Sequence, residues 1–350
     1  MVLHKIIRNP SKTLRHTNIA FNKFYSQMAK PTVYVTRDIG LEATTLLESR
    51  CNIVSWKDEV PVPREELIKN IAGKDALLCL LTDKIDSEVL DAAGSKLKVI
   101  STMSVGYDHL DMKEIKKRKI RVGYTPNVLT DATAELTVAL LLATSRRLLE
   151  ANEEARTGGW KAWSPFWLCG PSLSNSTVGI VGFGRIGQEV AKRLKPFNVK
   201  EVLYTGRSEK KEGLEMGAKF VGFEQLLKES DFVIATCALT PETSEMFNDV
   251  TFKKMKSSAV FVNTSRGGVV NQDALIRALK NKTIWAAGLD VTTPEPLNID
   301  NELFRLKNCI VLPHIGSASI DTRNTMAMLS VKNLLAVLHE EKMPSELIIE

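Results

Sequence analysis

Cysteine is scarce in this chain of 350 residues, and the few present do not pair off. Cys51, Cys79, Cys169, Cys237 and Cys309 are odd in number and far apart, and no C-x-x-C occurs. Such spacing supports neither a zinc knuckle nor a disulfide framework, and no metal site is expected; a reducing compartment fits. Long apolar runs are missing too. The longest candidate, 136–143, falls short of the roughly 20 residues a spanning helix needs and leads into Arg146 and Arg147, so no membrane association is expected. Acidic residues are absent from positions 1–30, which hold Lys5, Arg8, Lys12, Arg15, Lys23 and Lys30. Setting those six aside from 47 Lys and Arg leaves 41, against 41 Asp and Glu. The net charge of +6 therefore belongs to the leader, and the balanced body gives no reason to expect a nucleic-acid partner. Residues 1–30 have the basic, acid-free, hydroxyl-bearing look of a mitochondrial transit peptide, although Pro10 interrupts a helix near its start; the alternative is an unaddressed tail on a cytoplasmic protein.

What is present is a repeated alternation of short apolar runs with helix-compatible stretches. The length predicts about two domains. Thr32–Thr36, Ala76–Leu81 and Leu97–Thr102 read as strands, separated by helix-like Arg64–Ile71 and Ser87–Ala93. Glu201–Thr205, Phe232–Thr236, Ala259–Thr264, Ala286–Val291 and Cys309–Leu312 continue the pattern, which implies parallel α/β sheets. Asp131–Glu150 reads as one long, buried helix with Thr130 or Asp131 as its N-cap. Between them, 158–173 is a loop holding three of the five tryptophans. It reads either as a packed aromatic cluster or subunit contact, or as a segment whose Trp160 or Trp163 lines a site.

Val178–Gly187, VGIVGFGRIG, is the most informative stretch. An apolar strand runs into Gly182, Gly184 and Gly187 and then a helix start, the context that turns G-x-G-x-x-G into a dinucleotide pyrophosphate site. The first glycine permits the turn, the second lets phosphate approach, and the third lets helix and strand pack. The next strand ends Tyr204-Thr205-Gly206-Arg207-Ser208, with no acid at Thr205 or Gly206 to hold a ribose 2′-hydroxyl. Arg207 can instead pair with a 2′-phosphate and Ser208 can add a hydroxyl, which favours NADP(H) with NAD(H) possible; the plainer alternative is a solvated arginine.

Three polar residues follow apolar strand patterns: Arg266 in NTSRGG, Glu295 in TTPEP and His314 in LPHIGS. Alone each has a bland explanation, as surface charge, cap acid or core histidine. Together they suit reduction of a 2-keto acid. Histidine can deliver a proton to the carbonyl oxygen, a carboxylate beside it favours imidazolium and orients the ring, and arginine can grip the substrate carboxylate.

These segments, with STMSVGYDHLD (101–111), GYTPNVLTDATAEL (123–136), NTSRGGVVNQDAL (263–275), GLDVTTPEPL (288–297) and LPHIGSAS (312–319), resemble the D-isomer-specific 2-hydroxyacid dehydrogenases, and within them the glyoxylate/hydroxypyruvate reductases. The resemblance runs from Lys30 to the C-terminus. It implies an Arg–Glu–His triad at Arg266, Glu295 and His314, and backbone contacts from Val105 and Gly106 to the substrate carboxylate. It implies that Arg185 and Ile186 cap the pyrophosphate, that Thr264 and Gly316 line the cofactor site, and that Asp290 lies beside the nicotinamide end and the substrate. The implied fold is two doubly wound Rossmann-like domains with the active site in the cleft: a substrate domain of 31–130 and 317–350, and a dinucleotide domain of 131–316. The implied assembly is a homodimer through 131–170, with Trp163 reaching the partner's site. The implied activity is reduction of glyoxylate and hydroxypyruvate, with a dinucleotide-sensing corepressor-like scaffold or another D-2-hydroxyacid specificity as alternatives.

Overall fold

The computed structural model describes Lys30–Ile348, so the leader reading lies outside the described residues. Two compact units emerge. Of the described residues, the first comprises 30–103, Leu110–Tyr124 and 330–348; the second comprises Ser104–His109 and Thr125–Leu329.

In the first unit, β1 (Thr32–Val35), β2 (Asn52–Ser55), β3 (Ala76–Cys79), β4 (Val99–Thr102) and β5 (Arg121–Gly123) form a parallel sheet in the order β2-β1-β3-β4-β5. β3 and β4 are buried at every position, as parallel strands covered on both faces must be. Leu67, Leu90 and Ile115 from three helices pack on Leu77, Ile100 and Val122. The exposed edge strand β2 and the three-residue β5 were not anticipated, since neither carries an apolar run long enough to signal a strand. The chain returns to this unit late. Asn333 Nδ2 donates to the Tyr124 carbonyl at 3.0 Å, and Asn333 Oδ1 accepts from Ser345 N–H at 2.9 Å.

The second unit holds a seven-stranded parallel sheet of β6 (Thr177–Val181), β7 (Glu201–Thr205), β8 (Lys219–Phe220), β9 (Phe232–Ala235), β10 (Val260–Asn263), β11 (Ala286–Leu289) and β12 (Cys309–Val311). Their order is β12-β11-β10-β9-β6-β7-β8. The chain starts at an interior strand, β6, and winds outward first to one side and then to the other, so the order reverses beside β6. Ligands of open parallel sheets sit outside the carboxyl ends at such a reversal. Phe247, Phe252 and Phe261 form one side of the core, with the Phe247 and Phe261 rings 4.7 Å apart.

Three expectations change. The helix drawn over 131–150 is two helices, Thr130–Ser145 and Leu148–Arg156, because Arg147 takes a left-handed backbone conformation (φ 52°) and its guanidinium pairs with Glu150 at 2.8 Å. The helix also lacks the expected side-chain cap, since Leu129 occupies the N-cap position and Thr130 is already helical. Thr125–Thr130 belong to the second unit, tied to it by the Thr125 N–H donating to the Ser104 carbonyl at 2.9 Å. Among the described residues no helix is long and apolar enough to cross a membrane.

Candidate active site

The glycine turn lies where the sequence reading put it, between β6 and the helix Arg185–Leu194. Gly182 has φ 95°, and a Cβ there would lie 2.6 Å from the Cys237 backbone, so only glycine fits. A Cβ at Gly187 would lie 2.5 Å from the Gly182 carbonyl, which is the close helix–strand approach the third glycine allows. Around Gly184, by contrast, a Cβ would meet nothing within 4 Å. The turn thus leaves open space beside its backbone, at the start of a helix with no side-chain cap, where Arg185, Ile186 and Gly187 contribute the first amides. That combination fits a pyrophosphate. Phe183 pins the turn by stacking on the buried Tyr204, ring centroids 4.1 Å apart.

β7 lies beside β6, and the Thr205 carbonyl accepts from Gly182 N–H at 2.9 Å, which brings Gly206 against the turn. Gly206, Arg207 and Ser208 are exposed, and Arg207 has no ion-pair partner among the described residues. Thr264 follows β10; its buried hydroxyl is 2.8 Å from that of Thr137.

β10, β11 and β12 are neighbours, so the loops carrying Arg266, Glu295 and His314 leave adjacent carboxyl ends. Direct contacts join them. A Cβ at Gly267 would overlap the Thr292 carbonyl oxygen, so the Arg266 turn sits tightly on the loop after β11. In that loop Glu295 Oε1 accepts from Thr292 N–H at 3.1 Å, and Glu295 Oε2 lies 2.7 Å from His314 Nδ1. One imidazole nitrogen is thereby engaged and the other, Nε2, remains available. His314 has φ 54°, an uncommon conformation for a residue with a side chain. Asp290 secures it: its carbonyl accepts from His314 N–H at 2.9 Å, and its two carboxylate oxygens accept from Ile315 N–H at 2.7 Å and Gly316 N–H at 2.8 Å. Asp290 is 1% exposed, and this burial raises its pKa against the opposing pull of those amides and of His314.

Gly106, which follows Val105, meets Arg266. A Cβ at Gly106 would overlap Arg266 Nη2, so glycine is required for the guanidinium to lie there. Trp163 does not join this group: it is 84% exposed in the loop after Leu148–Arg156, and Trp160 and Phe166 are exposed with it, which overturns a packed aromatic cluster within one chain.

Four residues escaped the sequence reading. Asn263, fully buried, ties the Arg266 turn, its Nδ2 donating to the Arg266 carbonyl at 2.9 Å while its Oδ1 accepts from Ser265 N–H at 3.0 Å. Asp108 Oδ1 accepts from Arg266 Nε at 3.0 Å. His109 is mostly buried, and burial, aided by the charge of Arg266, pushes its pKa down to about 4. Arg323, in the first turn of the helix Ile320–Leu338, is a half-buried cation that feels the charge of Asp290. Only a polar residue at the end of an apolar strand could have signalled Asn263, and a doubled charge motif in VGYDHLD could have signalled Asp108 and His109.

A parallel sheet with an open glycine turn on one carboxyl end and an acid–histidine pair on neighbouring loops defines a dinucleotide-dependent oxidoreductase. Comparison with known proteins narrows the class. The pattern of the D-isomer specific 2-hydroxyacid dehydrogenase, NAD binding domain, matches residues 138–316. The chain is 57% identical over 318 residues to the glyoxylate reductase/hydroxypyruvate reductase of Homo sapiens, covering 90% of this chain and 97% of that one. Among solved structures it is similar to a protein of Thermus thermophilus, at 43% identity and TM-score 0.85 over 91% of this chain and 100% of the other. It is also similar to an NADPH-dependent glyoxylate/hydroxypyruvate reductase of Sinorhizobium meliloti solved with NADP and malonate, at 30% identity and TM-score 0.81 over 92% and 98% of the two chains. The chain belongs to the D-isomer specific 2-hydroxyacid dehydrogenases.

Proposed function

We propose that the protein reduces glyoxylate to glycolate and hydroxypyruvate to D-glycerate, with NADPH preferred over NADH. The observation that carries this reading is the 2.7 Å contact between His314 Nδ1 and Glu295 Oε2, which leaves Nε2 to face a carbonyl oxygen. Arg266 Nη2 and the Val105–Gly106 backbone hold the substrate carboxylate and turn its C2 carbonyl toward His314. Glu295 accepts the Nδ1 hydrogen and orients the ring, so that His314 donates its Nε2 proton as negative charge builds on the carbonyl oxygen. Asp290 keeps the His314 backbone in place for that transfer. Gly182, Gly184, Arg185, Ile186 and Gly187 would hold the pyrophosphate; Gly206, Arg207 and Ser208 the adenosine 2′-phosphate; and Thr264, Asp290 and Gly316 the nicotinamide end. When bound, the reduced nicotinamide supplies the hydride that C2 takes.

The NADPH preference rests on Arg207, exposed beside the glycine turn with no acid at Thr205 or Gly206. The dimeric assembly, with Trp163 entering the partner's site, belongs to the same reading, as does a mitochondrial address in residues 1–30; a fusion of those thirty residues to a fluorescent protein that stays cytoplasmic refutes the address. The test of function is oxidation of NADPH and NADH in parallel, followed at the reduced-nicotinamide band, with glyoxylate or hydroxypyruvate. Fast oxidation favouring NADPH supports the reading. No oxidation with either keto acid overturns it, and equal rates with both cofactors overturn the role of Arg207. Arg207→Asp is expected to move the preference toward NADH by about tenfold or more, roughly one charge-assisted bidentate contact.

A further inference from the structure

We propose that Asp108 is a positioning and specificity residue: it fixes the Arg266 guanidinium in one orientation, and its charge disfavours keto acids that carry a second anion. The proposal rests on the reading of Arg266 as the carboxylate grip. Three donors of Arg266 have assigned directions. Nε donates to Asp108 Oδ1 at 3.0 Å, Nη1 donates to the Ser265 carbonyl at 3.0 Å, and Nη2 lies against Gly106. The main chain of Arg266 is tied separately by Asn263. An arginine ordinarily grips a carboxylate through two parallel N–H groups. Here the Nε side of the fork is occupied by Asp108 and one Nη1 hydrogen by the Ser265 carbonyl, so the outer edge, with Nη2 beside the Gly106 backbone, is what remains for substrate. A narrow contact of this kind suits a small acid with one carboxylate.

Charge points the same way. Arg266 and Asp108 together are neutral, Arg266 is partly buried while Asp108 lies at the exposed edge, and His109 beside them is uncharged near neutral pH because burial depresses its pKa to about 4. A monoanion entering this pair leaves one net negative charge. A dicarboxylate leaves two, against a carboxylate that cannot move away without releasing Arg266. Like charges brought together in a partly desolvated site are strongly disfavoured.

The experiment compares wild type, Asp108→Ala and Asp108→Asn on glyoxylate and on oxaloacetate, reading kcat and KM separately, with NADPH affinity and melting temperature measured alongside. Asp108→Ala is expected to lower kcat on glyoxylate about tenfold or more, as a loosened substrate grip does, with NADPH affinity within about twofold. Asp108→Asn keeps an oxygen that accepts from Nε and is expected to restore kcat to within about threefold of wild type, while raising the oxaloacetate-to-glyoxylate ratio of kcat/KM about tenfold, the equivalent of one removed repulsion. A merely structural role would move melting temperature and cofactor affinity with kcat and would not change the substrate ratio. Asp108→Ala with kcat within about twofold of wild type, or Asp108→Asn with an unchanged ratio, overturns the proposal. If Asp108→Ala does not fold, the ratio in Asp108→Asn decides. Wild-type turnover of glyoxylate tests the function, and the change of ratio between proteins tests Asp108, so the two failures are separable.

Discussion

At His314 the proposed proton transfer depends on one ring with one nitrogen engaged and the other open. Nδ1 is committed to Glu295 at 2.7 Å, and the backbone is held in a left-handed conformation by three hydrogen bonds from its own and the next two residues to Asp290. Removing the ring removes the proposed proton donor and leaves the glycine turn untouched. His314→Ala is therefore expected to lose roughly 10²- to 10⁴-fold in turnover while binding NADPH as wild type does; near-normal turnover sinks the donor role. His109 makes a second, thermodynamic prediction. Its pKa falls from 6.5 in the unfolded chain to about 4 in the fold, chiefly through burial. A depressed pKa stabilises the fold above the unfolded value and the contribution drains away as pH falls toward the folded value. From about pH 7.5 to 4.5 wild type should lose about 2 kcal/mol on this account, a loss absent in His109→Gln, measured as the difference in urea unfolding free energy at the two pH values. Identical acid limbs for the two proteins would remove His109 as the cause.

Among elements, the glycine turn separates two properties that usually fall together. Gly182 is required by its φ of 95° and by the Cys237 backbone, whereas Gly184 has open space where a side chain would begin. Gly182→Ala is expected to lower stability by about 1–3 kcal/mol, as a strained position does, and to weaken cofactor binding with it. Gly184→Ala should leave the melting temperature unchanged and still weaken cofactor binding, because its methyl group fills the space proposed for phosphate. Calorimetric melting and a cofactor titration distinguish the cases, and a Gly184→Ala protein with full affinity refutes the pyrophosphate assignment. This turn was legible in the sequence because strand, glycines and helix are contiguous. The strand ends bearing Arg266, Glu295 and His314 were legible for the same reason: each follows a short apolar run. β2 and β5 were not, since one is an exposed edge and the other only three residues long. The break at Arg147 was hidden because an apolar helix pattern continues through it and the interruption is a backbone conformation, not a composition. Asn263 and Asp108 act through hydrogen bonds to residues far away or around a turn, and no local spacing announces those.

For the whole molecule, the segment 160–167 needs an explanation that one chain does not supply. Trp160, Trp163 and Phe166 are 65%, 84% and 87% exposed, and Trp167 joins them, so four large aromatics face outward within eight positions. Isolated exposed apolar residues are ordinary, but a cluster of this kind marks an interaction surface, and tryptophan and phenylalanine are what interface cores favour. Leu148 and Leu149, also exposed, begin the helix to which this loop returns through the Trp160 N–H donating to the Glu154 carbonyl at 3.2 Å. On the proposed dimeric assembly the partner is a second copy of the chain. Light scattering on the purified protein is then expected to give about twice the chain mass of 38.9 kDa, and Phe166→Asp to give the single-chain mass with its circular dichroism unchanged. Trp163→Ala tests something further. If Trp163 only packs between copies, its loss shifts mass and activity together; if it enters the partner's site, the dimer persists while kcat/KM on hydroxypyruvate falls about tenfold, a typical loss for one buried aromatic contact. A wild-type protein that is monomeric at micromolar concentration and fully active would leave the exposed aromatics to some other partner and remove Trp163 from the site.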